Sequence, residues 1–258
     1  MMKDYRLSEK LSEGIVDGII EGYKDYLRVR KEAARQLKVH GAYAWVKGNH
    51  IDHHIAVQCA KFGVEGKLSK AGVTWQYLQF QMEEDKVLFL VKNARYFDPK
   101  AVDKGMDAYG RPRTKKVTYM ENLVGINQGV KFPKEVETIK HEKSFQLELL
   151  EDLQVVSISK EDTVELAKEY NRFYIVTYQI DEEFLINSIK LWMPNPGNNK
   201  AYLVEDLSNF INTKTSHIIE MEEETKAILQ SSTEVEYDAS SYDIALTEDD
   251  NDEAAEES

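Results

Sequence analysis

The sequence predicts an α+β fold: N-terminal helices packed on an antiparallel, hairpin-built sheet or sheets, with a disordered acidic C-terminal tail. Near the N-terminus, apolar residues recur every three or four positions, which is the spacing of an amphipathic helix. Further along, runs rich in Val, Tyr, Phe and Leu are joined by short polar turns, which indicate antiparallel strands. Because the helices cluster instead of alternating with strands, the order argues against a doubly wound parallel sheet.

The N-terminal region predicts helical structure as far as Gly63. An amphipathic helix begins near Ser8, and a basic helical stretch follows over residues 26–40, with Gly41 as its end. Asn49 is a suitable N-cap for the next helix, which ends at Gly63. Three glycines either weaken the first helix, by about 1 kcal/mol each relative to Ala, or mark close helix packing: Gly14, Gly18 and Gly22.

The middle of the chain predicts a β-hairpin and then a loop. Strands over residues 73–82 and 86–97 are joined by the polar residues 83–85. Residues 98–116 are polar and basic and contain glycine, so they read as a long loop before a short helix around residues 119–126.

Pro133 opens a polar stretch, which suggests halves at residues 1–132 and 133–218 that could still form one domain. The second half predicts alternating short elements: a strand at 153–159, a helix at 161–168, strands at 172–180 and 184–193 joined by 181–183, a turn at 194–197, a strand at 201–204 and a helix capped by Asp206.

Charge is distributed unevenly along the chain. The net charge is −13, yet residues 220–258 hold 15 acidic residues against Lys226 alone, so the rest of the chain is close to neutral. A short helix is expected after about His217, through Ile218, Met221 and Ile228, and it leads into the last predicted segment, residues 219–258. Beyond it, too few apolar residues remain to offset the entropy of ordering, which predicts disorder.

The composition favours a cytoplasmic protein. Cys59 is the one cysteine, so no intrachain disulfide can form. The sequence begins without the apolar segment of a signal peptide, and its longest strongly apolar run is far below the roughly 20 residues that span a bilayer. We therefore expect no membrane insertion.

A basic segment interleaved with aromatic residues is the main candidate site. Arginine and lysine contact phosphates and aromatic rings stack on bases, so this pattern suits nucleic acid; the alternative is an ordinary solvated loop. The candidate contacts are Lys92, Arg95, Tyr96, Arg111, Arg113, Lys115 and Lys116. A second basic set on the N-terminal helix would strengthen the hypothesis if it lay nearby: Arg28, Arg30, Lys31, Arg35 and Lys38.

Histidines raise a second possibility. His50 and His54 are four residues apart on one predicted helix face, a spacing that suits two imidazoles on one metal ion. No third ligand is evident in the sequence, so a partly exposed polar helix face is the favoured interpretation and we predict no metal. No nucleotide-binding fingerprint occurs either, and no cofactor is predicted.

The acidic tail has three interpretations. It keeps the protein soluble, or it folds back on the basic loop and competes with phosphates, or it is a recognition segment for a partner or a protease. In the last case its anchors are Tyr237, Tyr242, Ile244 and Leu246.

Two stretches of the chain resemble an uncharacterised family of bacterial and prophage proteins. The first is residues 40–52, HGAYAWVKGNHID, and the second is residues 72–97, which begin GVTWQYLQF and end KNARYF. The likeness covers about residues 1–215. Some relatives are described as toxin-like partners of ImmA/IrrE-type metallopeptidases and as sensitive to a Clp protease. The resemblance implies phage- or stress-linked regulation and carries no active site over to this chain.

Three functions follow as expectations. The first is a regulatory or toxin-like protein of a prophage or defence setting that acts on nucleic acid or its machinery through the basic loop. The second is a non-enzymatic interaction or inhibitor protein, with an antitoxin-like or protease partner and an acidic tail that mimics nucleic acid. The third is a metal-dependent hydrolase that uses His50 and His54.

Overall fold

The computed structural model describes residues 2–71, 75–107, 110–112, 118–133, 169–211, 213–214 and 217–231. The predicted fold class is confirmed, since N-terminal helices pack on a six-stranded sheet. The helices are α1 (Glu9–Gln36), α2 (Lys47–Cys59), α3 (Thr118–Val124) and α4 (Glu223–Ser231). The strands are β1 (Glu65–Ala71), β2 (Trp75–Met82), β3 (Val87–Asn93), β4 (Arg172–Ile180), β5 (Ile186–Asn195) and β6 (Lys200–Asp206).

Helix α1 is one continuous helix that includes most of the predicted basic stretch. Its N-terminus is capped by Ser8, whose hydroxyl accepts a hydrogen bond from the Leu11 amide at 3.3 Å. It ends at Gln36, before Gly41, because Leu37 already adopts an extended conformation.

The predicted start of α2 at Asn49 is wrong. The helix begins at Lys47 because a short 3₁₀ turn, Gly41–Ala44, leads directly into it, and the His50 amide already donates to the Val46 carbonyl. Its C-terminal end agrees with the sequence: after a further 3₁₀ turn, Gly63 adopts a left-handed conformation with φ of 75°.

The two long helices approach each other at glycines. A Cβ atom on Gly18 would lie 2.6 Å from the Ile55 Cα atom, and one on Gly22 would lie 2.5 Å from the Ile51 Cα atom. The glycines of α1 therefore mark close packing, the second of the two alternatives that the sequence left open.

The sheet is mixed, with the strand order β1-β2-β3-β4-β5-β6. Each half forms an antiparallel meander, as expected, but β3 and β4 pair in parallel. The expectation of purely antiparallel pairing is therefore corrected. The chain between β3 and β4 is long enough for the crossover that a parallel pair requires. Strands from both predicted halves thus stand side by side in one sheet.

Strand β1 was not predicted. Its sequence, EGKLSKA, contains no β-branched or aromatic residue, so its extended conformation follows from pairing with β2 over all seven positions. Other boundaries move by a few residues: β3 ends at Asn93, β5 runs from Ile186 to Asn195, and the helix expected after Asp206 is a 3₁₀ turn.

Two cores lie on opposite faces of the sheet, because neighbouring residues of a strand point to opposite sides. Phe89, with its neighbours across the sheet, packs beneath α1 and α2. Leu88 and Leu90 pack on the other side, against α3 and the loop that follows β3. The two basic regions of the sequence are therefore separated by the sheet.

Several expectations concern residues outside the described part of the chain. These are the strand at 153–159, the helix at 161–168 and the tail beyond residue 231. Within the described residues, no helix is both long enough and apolar enough to cross a membrane. In the C-terminal segment, a short helix is present as α4, but it begins at Glu223, so Ile228 lies in it whereas Ile218 and Met221 precede it.

Candidate anion-binding surface

The acidic residues of the predicted basic loop bind within the loop and, through Asp103, to the turn before β6. Asp98 accepts a hydrogen bond from the Lys100 amide at 2.8 Å, and Asp103 accepts one from the Asn199 side chain at 3.2 Å. Asp107 pairs with Arg111, its Oδ2 lying 3.0 Å from the guanidinium Nε. These aspartates have structural roles that reduce the excess positive charge of the loop.

The candidate contacts in this loop lie in different environments. Arg95 and Arg111 are exposed, whereas Lys92 is half-buried on β3. Tyr96 is only 2% exposed, so its ring belongs to the interior and is not placed to stack on a base. Three further candidates, Arg113, Lys115 and Lys116, lie outside the described residues.

A second basic surface lies on the C-terminal half of α1, across the sheet from the loop. Arg28, Lys31 and Arg35 share one stripe of the helix, which we call the α1 basic strip. With Glu32 and Gln36 they line a concavity of about 450 Å³. Arg30, which the sequence grouped with them, is fully buried and donates to the His40 carbonyl at 3.1 Å, so it does not belong to this surface.

The strip is paired with the beginning of the acidic C-terminal segment. The guanidinium of Arg35 donates two hydrogen bonds to the carboxylate of Glu224, at 2.9 and 2.6 Å. Lys31 contacts Glu222 and lies 3.5 Å from Glu224. We call these contacts the C-terminal ion pairs. The hydrogen bonds from Arg35 hold the pKa of the Glu224 carboxyl below its ordinary value.

The expectation that the tail folds back on the basic loop concerns mainly residues beyond 231, which lie outside the described part of the chain. The described part of the acidic segment contacts α1, not the loop after β3, because residues 217–231 run along the side of α1. The sequence could not reveal this pairing, since Arg35 and Glu224 are 189 residues apart.

Exposed apolar and aromatic side chains lie in the connection that follows α1. The connection between α1 and α2 turns back along the last turns of α1, held in part by the bond from Arg30 to His40. Its exposed apolar residues are Leu37, Val39, Tyr43 and Trp45. The C-terminal half of α1 and the connection after it therefore supply exposed cations and exposed aromatic rings, the two features that the sequence had assigned to the loop.

The histidine pair lies beside Asp25, at the Arg28 end of the strip. His50 Nδ1 is 2.7 Å from Asp25 Oδ2, and His54 Nε2 is 3.6 Å from the same oxygen. Burial tends to raise the pKa of Asp25, but hydrogen bonds from Arg28 and His50 outweigh this effect and lower it to about 2.

Asp25 is the acidic neighbour of the histidines that the sequence could not supply. Among the described residues, however, no three His, Cys, Asp or Glu side chains are arranged to hold a metal ion. Asp25 binds His50 and Arg28 instead, which fixes one end of the basic strip against α2.

A buried cluster anchors the C-terminal segment to α1. His217 is 2% exposed at its side chain, with Nε2 2.7 Å from Asp17 Oδ1 and Nδ1 2.6 Å from the Ile211 carbonyl oxygen. Lys214 also binds Asp17, at 2.6 Å.

Comparison with known proteins gives one result. A family model described as a family of unknown function (DUF5986) matches residues 5–238, which include α4. No curated protein and no solved structure matches the chain.

Proposed function

The chain belongs to DUF5986, a family of unknown function, and from the chemistry of its surface we propose that it is a regulatory protein that binds nucleic acid at the α1 basic strip. The observation that carries this proposal is the Arg35–Glu224 pair. A guanidinium that forms two parallel hydrogen bonds with a carboxylate has the geometry with which arginine also binds phosphate.

The neighbouring aromatic residues favour single-stranded nucleic acid over other polyanions. Tyr43 and Trp45 are exposed in the connection that follows α1. Base stacking on such rings contributes about 1–3 kcal/mol per base and tolerates different sequences. We propose that a strand whose backbone lies on the strip continues past the end of α1 to these rings.

The loop after β3 has a secondary place in the proposal. Arg95 and Arg111 offer exposed cations there, but Arg111 is engaged by Asp107 and Tyr96 is buried. Because the loop lies across the sheet from α1, a short strand on the basic strip does not reach it. We assign the principal contacts to α1 and treat the loop as a separate region.

The biological setting is part of the proposal. A toxin-like or regulatory role in a prophage or defence system agrees with the resemblance described above. In that setting, occupation of nucleic acid or of its processing machinery is the direct effect of the protein. An antitoxin-like protein or a protease would be its natural regulator.

Salt-dependent binding tests the site. We would measure the affinity for fluorescent poly(dT) against salt concentration for the intact protein and for R28Q/K31Q/R35Q. The dependence of log K on log salt has a slope of about −0.7 per phosphate contact for single strands, so removing three cations should flatten it by about 2.

The matched control is K3Q/K10Q/K67Q, which removes the same charge at exposed lysines away from the strip. It should change the slope much less. Equal flattening in the two triple variants would reduce the effect to net charge and would count against a site on α1.

An exposed apolar group favours a second candidate, a protein–protein interaction module. Val39 is 88% exposed, and Leu37 is also exposed beside it. Adjacent apolar side chains on a surface mark sites of association more often than isolated ones do. The occupant under this alternative is a partner protein with an apolar patch and acidic residues that complement Arg35 and Lys38.

A further inference from the structure

The C-terminal segment is attached to α1 in two stages that differ in burial. The first stage is the contact of the buried His217 side chain with Asp17, beside which the more exposed Lys214 also binds Asp17. The second stage is the set of C-terminal ion pairs, where the side chains of Glu222, Glu224 and Arg35 are 61%, 44% and 60% exposed. The first contact is shielded from solvent ions, whereas the second is open to them.

The two stages should therefore respond differently to competing ions. Exposed ion pairs contribute little net stability and weaken as salt rises. Breaking a buried hydrogen-bonded contact leaves desolvated polar groups without partners, which is unfavourable. Between the stages, residues 218–222 form neither helix nor strand, and Ile218 is exposed. The second stage can open while the first remains closed.

Two of the groups that hold the segment, Arg35 and Lys31, are those that the proposed function assigns to phosphate. Met221 and Leu229 also pack against the core, and Lys226 binds Glu183 at 2.8 Å, so the segment has further contacts beside the ion pairs. Arg35 uses Nε and Nη2 for Glu224, so it cannot offer this fork to a phosphate at the same time. Lys31 is likewise engaged by Glu222 and Glu224. An incoming strand and the C-terminal segment compete for the same donors.

We propose that residues 222–231 are an intramolecular occupant of the α1 basic strip, which a single-stranded nucleic acid displaces while the His217 cluster keeps the segment attached. This inference rests on the proposed function and adds its regulation. Because the occupant is tethered, its effective concentration is high and the free site is only fractionally populated. The apparent dissociation constant is then raised by the reciprocal of the open fraction.

The acidic residues that follow can act in the same direction. Between residues 232 and 258 the sequence holds eleven further acidic side chains and no basic one. Because this charge follows α4 in the chain, we expect it to repel phosphate from the strip. The repulsion acts over about a Debye length, which is roughly 8–10 Å at moderate salt and longer at low salt. The matched family region ends at residue 238, so it includes α4 but not most of this charge.

The test compares two charge-matched variants of the full-length chain. E222Q/E224Q removes the C-terminal ion pairs. E220Q/E223Q removes the same charge from the same segment; Glu220 is exposed, and Glu223 lies 3.9 Å from Lys226 within α4. Within the described part of the chain, neither of these two carboxylates forms an ion pair with α1.

Two readouts are needed. Amide hydrogen exchange of residues 225–231 measures opening without any ligand, and titration with fluorescent poly(dT) measures binding. We expect E222Q/E224Q to exchange faster in α4 and to bind about three- to tenfold more tightly than the wild type. E220Q/E223Q should exchange like the wild type and change its affinity less.

The outcomes separate the two proposals. If both variants bind equally tightly, or if exchange in α4 is the same in both, displacement of an intramolecular occupant is wrong. If exchange rises in E222Q/E224Q but no form binds poly(dT) even at low salt, nucleic-acid binding is what fails. Faster exchange together with tighter binding, both confined to E222Q/E224Q, supports the inference.

Discussion

Single residues set the charge of the candidate surface through their pairing. Arg28 is engaged by Asp25, Arg35 by Glu224 and Lys31 by two glutamates, so a strip of three cations is largely neutralised in the described structure. Its capacity for a polyanion therefore depends on how readily these carboxylates leave. Glu222 and Glu224 belong to a terminal segment that can move away, whereas Asp25 is fixed between α1 and α2.

The glycines of α1 allow a sharp test at this scale. Ala at Gly18 or Gly22 gains helix propensity, but its Cβ would meet the backbone of α2, which cannot yield easily. We expect G18A and G22A each to lower the free energy of unfolding by about 1–3 kcal/mol, measured by urea denaturation.

Gly14 is the matched control. Its added Cβ would approach the edge of the Phe62 ring at 2.7 Å, and a side chain can shift where a backbone cannot. G14A should therefore cost less than the other two variants. Equal costs at all three positions would show that α1 and α2 are not held at backbone distance.

The sequence could identify the residue types of the site but not their surroundings. Local spacing was enough to single out His50, the cations of α1 and the aromatic residues close to cations in the sequence. That Tyr96 and Arg30 are buried, or that Asp25 lies beside His50, depends on tertiary packing, which no local pattern encodes. The pairing of Arg35 with Glu224 depends on the path of the whole chain.

Among the elements, α1 is the central one. The apolar face of α1 covers the sheet. Helix α2 and residues 217–231 also pack along α1. Its C-terminal half carries the α1 basic strip, which Glu222 and Glu224 contact in the described structure. Each neighbour of this helix is therefore able to influence what binds to it.

The connection between α1 and α2 tests the second candidate function. We expect L37S/V39S to lose a partner protein that copurifies with the wild type after nuclease treatment, because the substitution removes exposed apolar area. V57S/L68S changes two equally exposed apolar residues on α2 and β1 and should retain the partner. Loss in both variants, or in neither, would exclude the connection as the specific contact.

The prediction of helices and hairpins succeeded where the local pattern of side chains determines the structure. It failed where the structure depends on pairing between strands that are distant in the chain. The amphipathic pattern of α1 and the turns of both hairpins are local features, and they are present. Strand β1 and the parallel β3–β4 pair were missed, since both arise from partners distant in the chain. A crossover cannot be distinguished from a domain boundary when the segment between two strands has no clear pattern.

At the scale of the whole molecule, charge and topology divide the protein. The sheet separates the two basic regions, and the described part of the acidic C-terminal segment, residues 217–231, contacts the strip on α1. The chain before residue 220 carries a net charge near +1, against −14 from residue 220 onward. Under the proposed function, such a molecule binds polyanions weakly until this segment is released, which makes release the point of control.

The central claim is that nucleic acid binds on α1, and crosslinking tests it most directly. Single-stranded RNA that carries 4-thiouridine would be irradiated with the full-length protein, and the crosslinked peptides would be identified by mass spectrometry. We expect crosslinks in the second half of α1 and at Tyr43 or Trp45, increased by E222Q/E224Q. Crosslinks confined to the loop between residues 95 and 116 would contradict the account.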